Sequence, residues 1–230
     1  MKMIGLLGGM SWESSVEYER LINQAVRKSL GGSNSADLIL RSFNFAHIAE
    51  LQAQGKWEEL GELLAQAAKD MEQAGAQAIV ICANTMHLLA DHVQSEISIP
   101  LIHVADATGS AIKSQGLNKV LLLGTKYTME KDFYRVRLAE KFGIEAVIPN
   151  ADQRDEIHRI IYEELVRGVI LVDSKTYLLD LIEEFRVVGV EGVIAGCTEI
   201  ELLVKPEDLS VPYFPTAAIH SAAIAEFALS

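Results

Sequence analysis

The stretch GAQAIVICANTMHLLAD at residues 75–91 and the stretch GVEGVIAGCTEIELLV at residues 189–204 decide the fold. Each begins with a glycine, continues as an apolar run of strand length, and passes through a few polar residues into an apolar helical segment. A nearly continuous apolar run predicts a strand that is buried on both faces of a parallel sheet. The two stretches lie 114 residues apart, measured from Gly75 to Gly189.

Two further pairs of segments repeat at nearly the same spacing. PLIHVADATGSAI, beginning at Pro100, resembles PYFPTAAIHSAAI, beginning at Pro212 and therefore 112 residues later. IGLLGGM at Ile4 resembles VLLLGTKYT at Val120, which begins 116 residues later. Three matches in register indicate that the chain is a duplication of a half of about 115 residues.

Strand-like apolar runs alternate with helical patterns along the chain, which predicts an α/β fold with mostly parallel sheets. We expect two pseudo-symmetric halves, each a three-layer αβα domain around a parallel sheet, with an active site in the cleft between them. The predicted halves are residues 1–115, completed by a C-terminal helix at about 216–230, and residues 116–215. One helix is predicted over residues 153–167 and one strand over residues 100–104.

The composition excludes several classes of function. The chain has 230 residues, with 20 Lys and Arg against 32 Asp and Glu, so its formal net charge is −12. An acidic surface repels phosphate backbones, and nucleic acid is therefore not an expected partner. No stretch approaches the roughly 18 consecutive apolar residues that span a bilayer, and the N-terminus lacks a signal-peptide pattern. We expect a soluble, cytoplasmic protein with no membrane partner.

The loops that follow four predicted strands share a composition suited to ligand binding. Residues 8–11, 82–85, 124–128 and 196–199 are rich in Gly, Ser, Thr and Asn. In open parallel sheets, ligands bind beyond the carboxyl ends of the strands, and these residue types allow close backbone approach to a small polar ligand. The alternative is that they simply begin helices. Lys126 is the only basic residue among them, so recognition of a second carboxylate is not evident.

Cys197 follows a predicted strand and opens a helix, where amide N–H groups favour the nucleophilic thiolate. Thr198 offers a hydroxyl, and Glu199 could bind a substrate ammonium or hold a base. The alternative is a small, buried and inert side chain. The repeat places Ala83, not Cys82, opposite Cys197, and successive strand residues face opposite ways. Cys82 is therefore predicted to be a core thiol.

Other motifs are weak. The six histidines show no metal-ligand spacing. His103 and His220 lie in the two matched proline segments, where a satisfied core or surface histidine and a cleft residue are both open interpretations. The glycines at residues 5, 8 and 9 fit neither the dinucleotide nor the phosphate-loop pattern, so no nucleotide cofactor is expected.

These motifs resemble those of the aspartate/glutamate racemase family, the cofactor-independent amino-acid racemases. The resemblance runs from IGLLGGM at residue 4 through ANTMH at residue 83 and LLGTKYTM at residue 122 to GCTEI at residue 196. The sequences of these motifs are similar to those of bacterial broad-specificity or L-aspartate/glutamate-specific members. It implies a two-domain α/β fold, a homodimer, a small amino-acid substrate, no pyridoxal phosphate and no metal.

The resemblance also implies a two-base racemisation, which needs one proton-carrying group on each face of the substrate Cα. Cys197 is then the proton donor and acceptor on one face. Ala83 stands where the family has its first base, and a methyl group cannot move a proton. The residues that we expect to bind substrate are Met10, Gln52, Asn84, Thr85, Thr125, Thr128, Thr198 and Glu199.

Ala83 leaves several functions open. The chain is predicted to racemise aspartate or glutamate, through Cys197 alone with water, Thr85 or Cys82 acting on the other face. One alternative is a one-thiol decarboxylase or cis–trans isomerase of the same superfamily. Another is a binder of small acidic amino acids, either without turnover by nature or inactivated by a substitution at residue 83.

Overall fold

The computed structural model describes all 230 residues and divides into two compact units. The first unit contains Met1–Val104 together with His220–Ser230, and the second unit contains Ala105–Ile219. Each unit is built around a parallel sheet, so the predicted α/β class with two parallel sheets is confirmed. No helix in either unit is long and apolar enough to cross a membrane.

The first unit holds a three-stranded parallel sheet in the order β2-β1-β3. Its elements are β1 (Ile4–Gly8), α1 (Trp12–Leu30), β2 (Leu38–Ser42), α2 (Phe45–Ala53), α3 (Trp57–Gln73), β3 (Ala78–Ile81), a 3₁₀ turn (Thr85–Leu89) and α4 (Ala90–Ser95). The next helix, α5 (Val104–Ser114), has its first residue in this unit and the rest in the second unit. All residues of β1 and β3 are buried, as their continuous apolar sequences predict.

The second unit holds a four-stranded parallel sheet in the order β5-β4-β6-β7. Its elements are β4 (Lys119–Gly124), α6 (Lys126–Glu130), α7 (Asp132–Phe142), β5 (Glu145–Val147), α8 (Ala151–Arg159), a π turn (Ile160–Glu164), a 3₁₀ turn (Leu165–Arg167), α9 (Val172–Val187), β6 (Gly192–Gly196), α10 (Ile200–Leu203), a 3₁₀ turn (Pro206–Asp208) and β7 (Tyr213–Pro215). The last helix, α11 (Thr216–Leu229), begins in the second unit and belongs to the first unit from His220 onward.

Alternate residues of β3 and of β6 pack into an apolar cluster within their own unit. In the first unit Ile79 and Ile81 pack into one apolar cluster, against which the half-buried Ala83 also packs. In the second unit Val193, Ala195 and Cys197 belong to the corresponding cluster. Position 83 of the first half and position 197 of the second therefore lie on equivalent faces of their sheets, as the repeat predicts.

Equivalent backbone hydrogen bonds form in the two halves at the matched proline segments. The Ile79 N–H donates to the Pro100 carbonyl at 2.9 Å, and the Val193 N–H donates to the Pro212 carbonyl at the same distance. Around Pro212 the pairing extends into the three-residue strand β7. The strand predicted over residues 100–104 is reduced to one bridge between Ile79 and Leu101, because α5 begins at Val104.

The two compact units change over after Val104 and again at His220, because α5 belongs to the second unit from Ala105 onward. The domain bounds 1–115 and 116–215 stay a prediction. Asp106 on α5 accepts two hydrogen bonds from the Arg137 guanidinium of α7, at 2.6 and 2.8 Å. The Tyr134 hydroxyl donates to Thr108 at 3.0 Å. The boundary therefore falls at residue 104. At the other end, the Lys2 N–H donates to the carbonyl of Ala228 at 2.8 Å within the first unit.

The single helix predicted over residues 153–167 is instead three successive segments. Regular α-helix ends at Arg159, and a π turn and a 3₁₀ turn follow. Glu164, the last residue of the π turn, has a buried side chain that accepts a hydrogen bond from Ser174 at 2.5 Å and pairs with Arg159 at 2.8 Å. Hydrophobic periodicity does not distinguish such a turn from continuous helix, since the side-chain pattern shifts by only one residue.

Candidate active site

Cys197 lies directly after β6, where the strand ends and the chain turns toward α10. Its side chain is buried with 8% of its surface exposed. The Sγ–H donates to Oε2 of Glu199 at 2.8 Å, and the Thr198 hydroxyl donates to the same oxygen, also at 2.8 Å. Three consecutive residues thus form a compact thiol–carboxylate–hydroxyl group.

Burial raises the pKa of the Cys197 thiol well above its ordinary value, and the Glu199 carboxylate raises it further by charge and by accepting the thiol hydrogen. The backbone amides of Glu199 and Ile200 lower the pKa, as the sequence led us to expect, but burial is the largest cause. The effect of the helix-end amides is therefore present but is outweighed by burial. The hydrogen bond to Oε2 describes a thiol that holds its proton toward a carboxylate.

Two tyrosines that sequence reasoning missed lie near this thiol. Tyr162 reaches it from the π turn and Tyr213 from β7. Burial raises the pKa of both phenols, and the negative charge that Cys197 can carry is among the further causes. The Tyr162 ring also packs on His158 with centroids 4.5 Å apart. The π turn places Tyr162 near the thiol, and the pairing of β6 with β7 places Tyr213 there. No sequence motif indicates either feature.

The loop after β4 forms the neighbouring part of the same sheet edge. Thr125 caps α6, because its hydroxyl accepts from the Thr128 N–H at 3.2 Å. Thr128 is fully buried and contacts the glycines that end β4 and β6. Lys126 pairs with Asp155. Thr125 and Thr128, both predicted to bind substrate, therefore stabilise the loop itself in this structure. Lys126, the one basic residue of the loop, is paired with a carboxylate.

In the first unit, the loop after β1 has a demanding backbone. Gly9 adopts φ +75°, and a Cβ built there would lie 2.2 Å from backbone atoms of Phe43. Ser11 adopts φ 139°, which costs a non-glycine residue about 1–3 kcal/mol, while its side chain caps α1. Met10, between them, is buried in the apolar cluster of this unit.

The loop after β3 holds the position equivalent to Cys197. Ala83 is half-buried, Asn84 is buried, and Thr85 opens the 3₁₀ turn. The ring of His87 bonds the carbonyl of Ala83 at 2.8 Å. Cys82 is 1% exposed and burial raises the pKa of its thiol, so it is the core thiol that the repeat predicted.

Gln52 lies on α2 and is buried rather than solvated. Its amide Nε2 donates to the sulfur of Met86 at 3.1 Å. Met86 belongs to the same apolar cluster as Met10. Met10 lies in this apolar cluster, and Gln52 contacts it through Met86.

Comparison with known proteins decides the family. Residues 7–224 match the model of the Asp/Glu/hydantoin racemase family. The chain belongs to this family. It is 25% identical over 227 residues to the broad-specificity amino-acid racemase RacX of Bacillus subtilis, covering 94% of this chain and 93% of that protein. The resemblance inferred from the sequence motifs is thereby confirmed.

Solved structures of similar proteins have the same fold as this chain over all or nearly all of its length. A candidate Asp/Glu racemase from Yersinia pestis is 50% identical with a TM-score of 0.95, and both chains are covered completely. An aspartate racemase homologue from Pyrococcus horikoshii is 41% identical with a TM-score of 0.87, again with complete coverage of both chains. The aspartate racemase of Picrophilus torridus shares the fold at 18% identity, with a TM-score of 0.75 over 99% of this chain and 94% of that chain.

The two strand ends of this racemase-family chain differ in their side chains. Cys197 at the end of β6 has a carboxylate partner, whereas the equivalent Ala83 supplies only a methyl group. No group of three or more His, Cys, Asp or Glu side chains is placed to hold a metal ion. That both strand-end edges serve one ligand stays a prediction.

Proposed function

We propose that this protein is an amino-acid racemase that acts on aspartate or glutamate, with Cys197 transferring the Cα proton. The observation that carries the proposal is the buried Cys197 thiol, 2.8 Å from the Glu199 carboxylate at the carboxyl end of β6. Family membership supports the reaction class. The relatives described as a broad-specificity racemase and as an aspartate racemase homologue support an amino-acid substrate.

The proton path follows from the hydrogen bond between the two side chains. Glu199 Oε2 takes the proton from Cys197 Sγ, which leaves a thiolate and a neutral carboxyl group. The thiolate then takes the Cα proton of the amino acid, so the C–H bond breaks and an S–H bond forms. The electron pair stays on the substrate as a carbanion. Return of a proton from Sγ to Cα reverses these steps.

The carbanion needs hydrogen-bond donors near the α-carboxylate, onto which its charge is delocalised. In the second unit the Thr198 hydroxyl stands beside the thiol and already donates to Glu199. In the first unit the Asn84 amide and the Thr85 hydroxyl stand at the equivalent strand end. We assign the Asn84 and Thr85 side chains to the substrate carboxylate, and Thr198 joins them when its one hydroxyl hydrogen turns from Glu199 to the substrate.

Ala83 makes the two faces of the substrate unequal. Cys197 can remove and return a proton on one face, but the equivalent residue on the other half has no exchangeable proton. Full racemisation then requires water or a neighbouring hydroxyl such as Thr85 to protonate the opposite face. We therefore expect exchange of the Cα proton to be faster than inversion of the stereocentre.

A second candidate function is favoured by the protonation state of Cys197. Loss of CO₂ from a substituted malonate leaves a carbanion that needs a single proton donor, and a buried neutral thiol is such a donor. A decarboxylase of this kind has no use for a base at residue 83. It would release CO₂ from a malonate without exchanging the Cα proton of any amino acid.

The experiment is incubation of the protein with each enantiomer of aspartate and glutamate in D₂O, followed by ¹H NMR. We expect loss of the Cα signal of at least one of them, and Cys197→Ser should lower this rate by about 10²–10⁴-fold. The matched control is Cys82→Ala, which removes the other thiol and should retain exchange. Equal exchange by the protein and by Cys197→Ser would contradict the assignment.

A further inference from the structure

Three histidines of the first unit are packed against one another in its interior. His87, His103 and His220 are each at most 4% exposed. The ring of His87 lies 4.6 Å from that of His103 and 5.6 Å from that of His220, measured between centroids. The proton-transfer scheme proposed above uses none of them. Apolar side chains would fill the same space without the cost of burying ring nitrogens, so a specific role is expected.

The two ring nitrogens of His87 have different backbone partners. Nδ1 lies 2.8 Å from the carbonyl oxygen of Ala83, and Nε2 lies 3.2 Å from the backbone nitrogen of Val104. A carbonyl can only accept and a backbone N–H can only donate. His87 is therefore neutral, with its proton on Nδ1 and its lone pair on Nε2. In this state it ties the strand-end loop of β3 to the first residue of α5.

His220 fixes the adjoining backbone by the same logic. Its Nε2 lies 2.8 Å from the Ile102 carbonyl, so Nε2 carries the proton. Its Nδ1 accepts from the Tyr18 hydroxyl at 3.0 Å. The segment that presents the Val104 N–H to His87 is thus held from α11 and α1. A rotation of the His87 ring would break a hydrogen bond and disturb its edge contacts with the His103 and His220 rings.

We propose that His87 is a positioning residue for substrate binding, acting through the carbonyl of Ala83. The next two residues after that carbonyl are Asn84 and Thr85, to which we assign the substrate carboxylate, so the orientation of the Ala83–Asn84 peptide sets where their donors point. This inference rests on the proposed function. It goes beyond that function by giving a role to a residue that touches no substrate.

Two substitutions separate the two hydrogen bonds of His87. His87→Asn places an amide N–H where Nδ1 stands and keeps the bond to Ala83, while His87→Gln places an amide oxygen where Nε2 stands and keeps the bond to Val104. Each variant loses one bond, so similar losses in Tm are expected. We expect His87→Gln to raise the KM for Cα exchange about tenfold with little change in kcat, and His87→Asn to stay within about twofold of the parent. Equal changes in KM, or a larger change in His87→Asn, would overturn the proposal.

A readout without substrate distinguishes failure of this inference from failure of the proposed function. Hydrogen exchange of the Asn84 and Thr85 amides should be faster in His87→Gln than in His87→Asn, whether or not the protein turns over an amino acid. If neither variant folds, ¹⁵N NMR of the parent protein decides, since His87 must show a protonated Nδ1 and a bare Nε2 at neutral pH. The opposite tautomer, or an imidazolium, would overturn the proposal.

Discussion

The ends of β3 and β6 occupy equivalent places in the two halves of the chain, yet they hold different chemistry. At the end of β6, Cys197 donates its thiol hydrogen to Glu199 at 2.8 Å. At the end of β3, Ala83 offers a methyl group, and its carbonyl is bound by His87. One half has a buried thiol–carboxylate pair, and the other has a methyl group beside a histidine-bound carbonyl. The two strand ends therefore share a backbone arrangement but not the side chain that the proposed proton transfer needs.

A second comparison shows how closely the framework is preserved. Tyr18 of α1 donates to His220 at 3.0 Å in the first unit, and Tyr134 of α7 donates to Thr108 at 3.0 Å in the second. The tyrosines are 116 residues apart, the same spacing as the β1 and β4 motifs. The acceptor is an imidazole in one half and a hydroxyl in the other. Both halves therefore have a buried hydrogen bond from the equivalent tyrosine, although the accepting side chain differs.

The largest effect on stability is expected at Gly9, whose equivalent in the second half is Thr125. Gly9→Ala places a Cβ 2.2 Å from the Phe43 backbone at φ +75° and should reduce the free energy of unfolding by about 2–5 kcal/mol. Thr125→Ala removes a helix cap and should cost about 1 kcal/mol. Urea unfolding of both variants measures the difference. Similar losses would show that the two turns are interchangeable.

A smaller, catalytic effect is expected when the missing group is restored at the end of β3. Ala83→Thr adds a hydroxyl at the position equivalent to Cys197 and should raise the rate of racemisation at least tenfold over the parent chain. Ala83→Val has nearly the same shape without an exchangeable proton and should give no increase. Polarimetry of L-aspartate and L-glutamate measures both. A gain in Ala83→Val as well would assign the effect to packing.

The charge of Glu199 should be visible in the reactivity of Cys197. Burial and the Glu199 carboxylate both raise the pKa of this thiol, so Glu199→Gln, which removes the charge, should lower it toward the ordinary value. In a Cys82→Ala background only one thiol reacts, and its alkylation by iodoacetamide should reach half-maximal rate at lower pH in Glu199→Gln. An unchanged or higher midpoint would mean that the carboxylate does not act on the thiol.

The smallest effect is expected at the paired tyrosines. Tyr18→Phe and Tyr134→Phe each remove one hydroxyl from a buried hydrogen bond and should each lower the free energy of unfolding by about 1 kcal/mol. Thermal unfolding of the two variants provides the measurement. A loss in only one of them would show that the equivalent bonds no longer contribute equally.

The sequence predicted those parts of the molecule that depend on local pattern and on repetition. Buried strands such as β3 and β6 read as apolar runs, and the spacing of the repeat identified Ala83 rather than Cys82 as the equivalent of Cys197. The family also followed from motifs at the strand ends.

What the sequence did not predict depends on contacts between distant segments. The raised pKa of the Cys197 thiol comes mainly from burial, which no local motif indicates. Tyr162 approaches the thiol because a π turn follows α8, in a stretch whose periodicity predicts continuous helix. The strand after Pro100 is limited to one bridge because α5 begins at Val104, and α5 belongs to the second unit from Ala105 onward.

The most direct test of the account compares two rates for each enantiomer of aspartate and glutamate in D₂O. The rate of Cα deuterium incorporation is read by ¹H NMR, and the rate of inversion is read by chiral chromatography. Because Cys197 can exchange a proton on one face and Ala83 cannot on the other, one enantiomer should incorporate deuterium faster than it inverts, and faster than its mirror image incorporates deuterium. Equal exchange of both enantiomers at the rate of inversion, or exchange that survives Cys197→Ser, would contradict the account.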